Sequence, residues 1–406
     1  MGQKLANDSM QNLYDFYINF SDEKSTKNKE NEIIQIFEKN YSMWERKLGR
    51  LYKNENVDDM VGSALCIYSA ILDVDALPTL NCLNALYNKV QKYEHKVKYR
   101  FNLKAGIYNN LANMYAKIGS EKDSIQCFKK NFFYLFSELN KTIYSTINCF
   151  AFHSLSKHML HSFSENTLNV SSPLKFNDIF DCPLINLLNN DEGPSKLRRR
   201  ALCDCVKIAC FDRNIYLPTE DDLVFGKKRK KNNDEHEYDN ELLWSHYTDY
   251  HKGICIEYVF DSKMFKSAQN SSSIVSFFKD VNYCDNLDSI KTGTSIAVLD
   301  GFFAKSKAWR YENELRFFYF DLNGSGDYDS IKIPKCIKSI TFGVQCPEND
   351  KILVMKLMRG YKYRDVLNGK TMEKKIEFYQ MKPDENVFGK IKREPIALNK
   401  GKILVQ

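Results

Sequence analysis

The sequence predicts an α+β protein in two parts: an all-α, repeat-like helical domain over residues 1–140 and a mixed α/β sheet domain over residues 141–406. Up to about residue 140, apolar residues recur at three- and four-residue spacing and the segment contains one proline, Pro78. From Thr142 onward, shorter segments rich in β-branched and aromatic residues are separated by Ser, Asn and Pro, as in alternating strands and helices. A chain of 406 residues is also long for one core, since domains usually contain about 100 to 200 residues.

The composition is that of a globular protein in water, with 43% hydrophobic and 27% charged residues. No apolar run approaches the roughly 20 residues needed to cross a bilayer, and the N-terminus lacks a secretory apolar segment, so we expect a cytoplasmic protein without a membrane partner. The net charge of +7 comes from 59 basic and 52 acidic residues, which is too weak an excess to indicate nucleic-acid binding by itself.

Twelve cysteines are present, among them Cys203, Cys205 and Cys210. They form no Cys-x-x-Cys pair and have no histidine partner at zinc-finger spacing, so we expect no structural zinc site. Reduced thiols packed in the core are the simpler interpretation.

In the helical region one segment has the spacing of a helix, a turn and a second helix. It resembles a tetratricopeptide repeat and departs from that pattern at Asn131 and Phe136; the matching residues are Tyr108, Leu111, Ala112, Tyr115, Gly119, Ser124 and Phe128. Upstream helices at Ile33–Phe37, Met60–Leu72 and Leu80–Val90 either stack on it as degenerate repeats or complete a plain bundle. In both cases we expect this domain to bind a protein partner or to regulate the rest of the chain.

The second part begins with a strand over 147–152 that ends at His153, a short helix over 157–163 and a strand over 167–171 that ends at Ser171. Further elements are predicted along the chain: strands at 281–283, 315–320 and 338–344, and helices at 294–307 and 350–359.

Two polar stretches interrupt this part, at 218–241 and at 270–273. The first contains five consecutive basic residues, Lys227–Lys231, and cannot bury much surface. Such a run can bind nucleic acid or act as an import signal, but a mobile, solvated loop is the favoured interpretation.

The stretch from Leu242 to Tyr258 is the densest in unusual residues. It contains aromatic residues and histidines, and then Gly253 precedes an alternating strand; the side chains concerned are Trp244, His246, Tyr247, Tyr250 and His251. From Ile254 the period of two places Ile254, Ile256, Tyr258 and Phe260 on one face. We therefore expect polar groups anchored to a sheet, which is what a site requires.

Three motifs together resemble the family known as domain of unknown function 2971, over roughly residues 145–385. They are Ser172-Pro173-Leu174-x-Phe176-Asn177-Asp178-x-Phe180-Asp181, the Leu243–Ile256 run, and Lys305-x-x-x-Trp309-x-Tyr311-Glu312-x-Glu314-x-Arg316. This resemblance implies no chemistry.

Glu312 and Glu314 place two carboxylates on one face if the chain is extended there. Such a pair can divide acid and base roles, bind a divalent metal, or stabilise a cationic sugar, and it can also be a salt-bridged surface with Lys305 and Arg316. A metal-dependent nuclease would use Asp178, Asp181, Glu312 and Glu314 with Lys305. However, Arg316 stands where such enzymes carry a titrating lysine, and His246 and His251 lack a metal-pair spacing, so we expect no metal.

The order of His153, Ser171 and Glu312-x-Glu314 resembles the His, Ser and Glu-x-Glu triad of ADP-ribosyltransferases. The resemblance implies an ADP-ribosyltransferase-like sheet domain with NAD as co-substrate. It implies that His153 holds the adenosine ribose, Ser171 positions the nicotinamide ribose, Glu314 stabilises the cationic ribose and Glu312 orients or activates an acceptor.

Trp244 and Tyr247 would supply the surface on which nicotinamide stacks. The Leu243–Thr248 run resembles the first motif of the poly-ADP-ribose branch, which makes His246 the rival of His153, and both assignments stay open. As a structural alternative, His153 is a packed strand-end histidine and Ser171 a turn serine.

The sequence thus leads to two classes of function. The first is an NAD-consuming ADP-ribosyltransferase-like effector, of the kind found among bacterial defence and toxin proteins, controlled by the helical domain. The alternative is a non-enzymatic protein that recruits a partner and recognises a nucleotide or peptide.

Overall fold

A computed structural model describes residues 101–139, 146–178, 180–182, 193–213, 240–261, 273–286, 299–367, 370–396, 398–399 and 402–403, with positions 80, 84, 87, 88 and 91. The helices predicted at Ile33–Phe37 and Met60–Leu72 lie outside these residues, as do 218–239 of the predicted mobile loop. The five isolated positions are all helical, in agreement with the helix predicted over Leu80–Val90.

The described helices are α1 (Phe101–Lys117), α2 (Glu121–Leu139), α3 (Lys157–Glu165), α4 (Gly193–Cys205), α5 (Glu241–Tyr247) and α6 (Glu348–Leu357), with 3-10 turns at Pro173–Lys175 and Lys307–Glu312. None of the helices in the described ranges combines the length and apolar character that a membrane crossing needs.

The strands of the large sheet are β1 (Thr146–His153), β2 (Thr167–Ser171), β3 (Val206–Asp212), β4 (Ile254–Asp261), β5 (Ile274–Asp280), β8 (Glu314–Asp321), β9 (Tyr328–Lys332), β10 (Ile337–Phe342), β13 (Glu377–Pro383) and β14 (Ile391–Pro395). Three two-stranded pairs accompany it: β6 (Asn282–Cys284) with β7 (Ala304–Ser306), β11 (Lys362–Leu367) with β12 (Lys370–Lys375), and β15 (Leu398–Asn399) with β16 (Lys402–Ile403).

The chain divides into two compact units, and the described residues of the first are helical. Helices α1 and α2 form a hairpin whose turn includes Gly119 at φ 77°, a left-handed value that glycine adopts without a Cβ penalty. The Ser124 hydroxyl donates to the carbonyl of Ala112 at 2.8 Å across the hairpin, and both residues are buried. Apart from Gly119, which is exposed in the turn, the residues of the helix–turn–helix pattern therefore form the hairpin core.

Helix α4 belongs to the same unit as α1 and α2, although it follows β2 in the chain. It buries Leu197, Ala201 and Leu202, and the Arg198 guanidinium lies 5.2 Å from the centre of the Phe128 ring. The boundary predicted at residue 140 places this helix in the sheet domain, so the structure groups it differently. An amphipathic helix carries no sequence signal for which core it joins.

The second unit is built on a ten-stranded sheet with the order β14-β13-β10-β4-β1-β3-β2-β9, to which β8 adds beside β3 and β5 beside β8. Strands β10 and β13 run parallel, and the other recorded pairs of this sheet are antiparallel. Strand β3 pairs with β8 along its whole length. On its other edge, β3 pairs with β1 at Phe150↔Asp212 and with β2 at Ser171↔Ile208. Strands β1 and β2 therefore contact different parts of β3 and separate along it.

The predicted alternation of β4 is confirmed. Ile254, Ile256, Tyr258 and Phe260 enter the main core of the unit, whereas Cys255 packs on the opposite face with Phe152, Leu243 and Trp244. The predicted β1, α3, β2, β8, β10 and α6 are also present, with ends shifted by at most a few residues.

The helix predicted over 294–307 is wrong for its second half. Leu299 and Asp300 are helical, but Ala304–Ser306 is strand β7, paired parallel with β6, and Lys307 begins a 3-10 turn. The run Phe302 to Ala304 is apolar, and such a short run does not distinguish a helix from a buried strand.

Candidate active site

A cavity of about 510 Å³ opens in the second unit where β1 and β2 separate along β3. Backbone and side chains of all three strands line it, together with the start of α3. The chemically important side chains on its wall are His153, Ser171, Asp181, Cys210, Tyr247, Lys305, Glu312 and Glu314. The predicted histidine, serine and Glu-x-Glu pair therefore reach one cleft.

Glu314 and Arg316 lie on one face of β8 because successive strand residues alternate, and both are buried. Arg316 Nε donates to Glu314 Oε1 at 2.7 Å, and Arg316 Nη2 donates to both oxygens of Asp181 at 2.7 and 2.9 Å. Burial opposes ionisation of Glu314, but the charges of Arg316 and Lys305 prevail and hold its pKa at about 2. Glu314 is therefore a carboxylate at neutral pH.

Lys305 lies in strand β7 and forms ion pairs with both glutamates. Its Nζ lies 2.5 Å from Glu312 Oε2, 3.0 Å from Glu314 Oε2 and 3.6 Å from Asp181 Oδ2. Burial alone lowers the pKa of a lysine, but the three carboxylates outweigh it and raise the pKa of Lys305. The cluster of Asp181, Lys305, Glu312, Glu314 and Arg316 thus contains three acids and two bases, a net charge of −1 when all five are ionised.

Glu312 ends the 3-10 turn instead of extending β8, so the condition of an extended chain at both glutamates is not met. Asn313 adopts a left-handed conformation at φ 48° and separates the turn from the strand. The two carboxylates nevertheless meet, because both bind Lys305. The second oxygen of Glu312 accepts a hydrogen bond from the Tyr247 hydroxyl at 2.5 Å. Burial and Glu314 raise the pKa of Glu312 against the opposing effect of Lys305.

His153 is the last residue of β1 and is partly exposed toward the cleft. Surrounding protein disfavours the charged imidazolium and lowers the pKa of His153 to about 4, so the ring is neutral at pH 7. A neutral imidazole both donates and accepts one hydrogen bond, which suits a sugar hydroxyl. Ser171 ends β2 and is likewise partly exposed.

Trp244 and His246 do not line the cleft. Trp244 is fully buried, with its ring edge-on to Phe152 at 5.3 Å and parallel to His251 at 6.4 Å, which corrects its predicted role as a nicotinamide contact. Apolar packing explains this, since Leu243 and Trp244 fill the core beside β1. His246 is exposed beside Trp309 and Tyr311, 6.2 and 6.5 Å between ring centres. Of the two rival histidines, His153 is the one in the cleft wall.

The remainder of the aromatic segment is a structural connector. Asp249, Tyr250 and His251 have consecutive φ values of 49°, 54° and 66°, which is costly for residues with a Cβ. Gly253 follows, and its N–H donates to the Thr248 carbonyl at 2.7 Å. A Cβ at Gly253 would overlap the carbonyl oxygen of His153, so this glycine allows β4 to pack closely on the end of β1.

Lys305 and Arg316 hold the carboxylates that a metal-dependent nuclease would need. Within the described part of the chain, no group of three or more His, Cys, Asp or Glu side chains has the arrangement of a metal site. Asp178, the remaining acid of that hypothesis, accepts the N–H of Phe180 at 2.9 Å in a turn.

Sequence reasoning placed Asp181 only in the metal-dependent nuclease alternative and Arg316 only as a salt-bridge partner, and it did not identify Cys210 or Tyr283 as site residues. Arg316 could have been found from its two-residue spacing to Glu314 on a strand. The contact between Arg316 and Asp181 could not have been predicted, because Asp181 lies 135 residues earlier in the chain. Tyr283 accepts the Glu314 N–H at 2.8 Å, a contact without a sequence signal.

Residues 243–317 match the family described as protein of unknown function (DUF2971). The matched segment contains Tyr247, Lys305, Glu312, Glu314 and Arg316, so it carries most of the charged cluster. No curated protein and no solved structure matches the chain.

Proposed function

We propose that this chain is an NAD-consuming, ADP-ribosyltransferase-like effector that breaks the bond between nicotinamide and ribose. The observation that carries the proposal is the meeting of His153, Ser171, Glu312 and Glu314 in one cleft, from β1, β2 and the start of β8. These are the residue types, in chain order, that ADP-ribosyltransferases use.

The cleft suits a ligand of this kind. Its volume of about 510 Å³ lies within the range of about 300 to 1,000 Å³ found for small-molecule sites. Neutral His153 and the Ser171 hydroxyl offer hydrogen bonds to ribose hydroxyls, and the apolar side chains of Phe152, Met159 and Phe211 line the same cavity.

The negative charge of the cluster explains how the site accelerates the reaction. Loss of nicotinamide leaves positive charge on the ribose, so a fixed negative charge stabilises the transition state more than the ground state. Glu314 is held ionised and immobile by Arg316 and Lys305. Because the five charged groups sum to −1, the two cations leave negative charge to act on the sugar.

The two glutamates have different protonation behaviour, as required for different roles. The pKa of Glu314 is depressed and that of Glu312 is raised, the latter by burial and by Glu314. We assign Glu314 to stabilisation of the ribose cation and Glu312 to acceptance of a proton from the attacking group.

We assign the helical unit a regulatory role as a tetratricopeptide-repeat-like module that binds a protein partner. With this module, we propose that the chain is a cytoplasmic bacterial defence or toxin effector whose rate of NAD consumption changes when the partner binds. The basic run Lys227–Lys231 remains a candidate contact for nucleic acid.

A non-enzymatic binding protein is the second candidate, and one observation favours it. Both oxygens of Glu314 already accept hydrogen bonds from cationic side chains, as in a buried structural ion network. Incubating the full chain with NAD and measuring released nicotinamide separates the two candidates, with Glu314→Gln as the matched variant. Release that depends on Glu314 supports the enzyme; binding of NAD without release supports the alternative.

A further inference from the structure

Tyr247 is the oxygen nucleophile nearest to the proposed base. It is the last residue of α5, it lines the cleft, and its hydroxyl donates to Glu312 Oε1 at 2.5 Å. The other oxygen of Glu312 is 2.5 Å from Lys305 Nζ. Both oxygens of the proposed base therefore have a partner, and the partner with a transferable acidic hydrogen and a nucleophilic oxygen is Tyr247.

This arrangement differs from the stacking role predicted for Tyr247. An external acceptor would have to share Glu312 Oε1 with the Tyr247 hydroxyl, whereas Tyr247 itself already has the contact that an activated acceptor needs. A tyrosine activated by a glutamate is an established type of sugar nucleophile in some glycosidases.

We propose, on the basis of the proposed function, that Tyr247 is the first acceptor of the ADP-ribosyl group. Tyr247 Oη forms a bond to C1′ of the nicotinamide ribose as the bond from C1′ to the nicotinamide nitrogen breaks. The electron pair of that bond leaves with neutral nicotinamide, and the phenolic proton passes to Glu312 Oε1. The product is an ADP-ribosylated Tyr247 beside a protonated Glu312, and atoms and charge balance without any further reactant.

The proton is transferred within the hydrogen bond during attack and not beforehand. Burial and the neighbouring Glu312 raise the pKa of Tyr247, so the resting group is a neutral phenol. Glu312, whose pKa is also raised, is a better proton acceptor than an ordinary glutamate. Glu314 stays ionised and stabilises the developing ribose cation from the same cleft wall.

The test is acid quenching of the full chain at successive times after mixing with NAD, followed by intact-mass measurement and peptide mapping. We expect the mass to increase by one ADP-ribosyl group, with the modification on the peptide that contains Tyr247. In Tyr247→Phe and in Glu312→Gln the adduct should be lost. Tyr311→Phe is the matched control, because Tyr311 lies outside the cleft lining, and it should retain the adduct.

The outcomes separate this inference from the function on which it rests. Nicotinamide release with no adduct at any time, or with the adduct mapped to another residue, overturns the role of Tyr247 and leaves the NAD-consuming activity intact. Absence of nicotinamide release overturns both. Because the mapping is done on the unaltered chain, the result does not depend on whether Tyr247→Phe folds.

Discussion

Arg316 Nε lies 2.7 Å from Glu314 Oε1, so the carboxylate proposed to face a ribose cation is paired with a fully buried guanidinium. Such a pair can serve stability or catalysis, and the net charge of the cluster distinguishes the two. A network with two cations and three carboxylates carries one negative charge in a buried site. Burying this uncompensated charge lowers stability, which favours a catalytic role of the cluster over a purely structural one.

Glu314→Gln should lower NAD turnover by about two to three powers of ten while the chain remains folded. The amide keeps the size of the side chain and removes the charge that stabilises the cationic ribose. Folding should persist because the cluster changes from a net charge of −1 to neutral. Nicotinamide release and thermal unfolding of the two proteins measure both effects, and an unchanged rate would contradict the enzymatic role.

Arg316→Met should destabilise the fold by about 3 to 5 kcal/mol, because it leaves Asp181 and Glu314 buried without their guanidinium. Denaturant unfolding gives the free-energy difference. Lys332→Met is the control: its ion pair with Glu165 is exposed and screened by water, so its loss should change stability far less. Equal losses in the two variants would show that the buried network does not stabilise the protein.

Stability should fall as pH falls from 6.5 to 4, in part because of His153. The folded chain lowers the pKa of this residue from 6.5 to about 4, so it opposes protonation that the unfolded chain accepts. The contribution is complete above pH 6.5 and is lost on the way down to pH 4. Since the ring is partly exposed, we expect a difference of about 1 to 2 kcal/mol over this window.

His153→Gln is the comparison for that pH effect, because an amide does not titrate. Between pH 6.5 and pH 4, the unfolding free energy of the unaltered chain should fall relative to that of the variant by about 1 to 2 kcal/mol. Parallel curves would mean that His153 keeps its ordinary pKa in the fold.

Local elements were predictable where capping residues or prolines mark their ends. The strand, helix and strand around His153 and Ser171 are bounded by Ser156, which caps α3, and by Ser172 and Pro173 after β2. The chain order of the site residues was predictable as well. Their meeting was not, because it depends on how β1 and β2 separate along β3, a property of sheet pairing over long sequence distances.

The charged cluster shows the same limit. The spacing of Glu314 and Arg316 indicates one strand face, but Asp181 and Lys305 come from other segments, and the sequence favours a helix where Lys305 lies in β7. Trp244 was misassigned because a cluster of aromatic residues looks the same in sequence whether it lines a cleft or fills a core.

Gly253→Ala should disturb the cleft from outside it. Gly253 precedes β4, and the added Cβ would overlap the His153 carbonyl oxygen and also approach its carbonyl carbon and the Thr248 side chain, both at 3.0 Å. Backbone atoms cannot rotate away as a flexible side chain can, so β1 and β4 must shift apart at the His153↔Ile254 pair. We expect a loss of about 1 to 3 kcal/mol of stability and a lower rate of nicotinamide release, because His153 moves in the cleft wall.

Gly389→Ala is the matched control for this variant. Gly389 has a left-handed φ of 75° but open space around its Cβ position, so alanine there adds backbone strain of about 1 kcal/mol without a clash. It lies in the turn between β13 and β14 and is not among the residues that line the cleft, so nicotinamide release should be unaffected. Equal activity of the Gly253 and Gly389 variants, at comparable loss of stability, would show that the position of His153 does not limit the reaction.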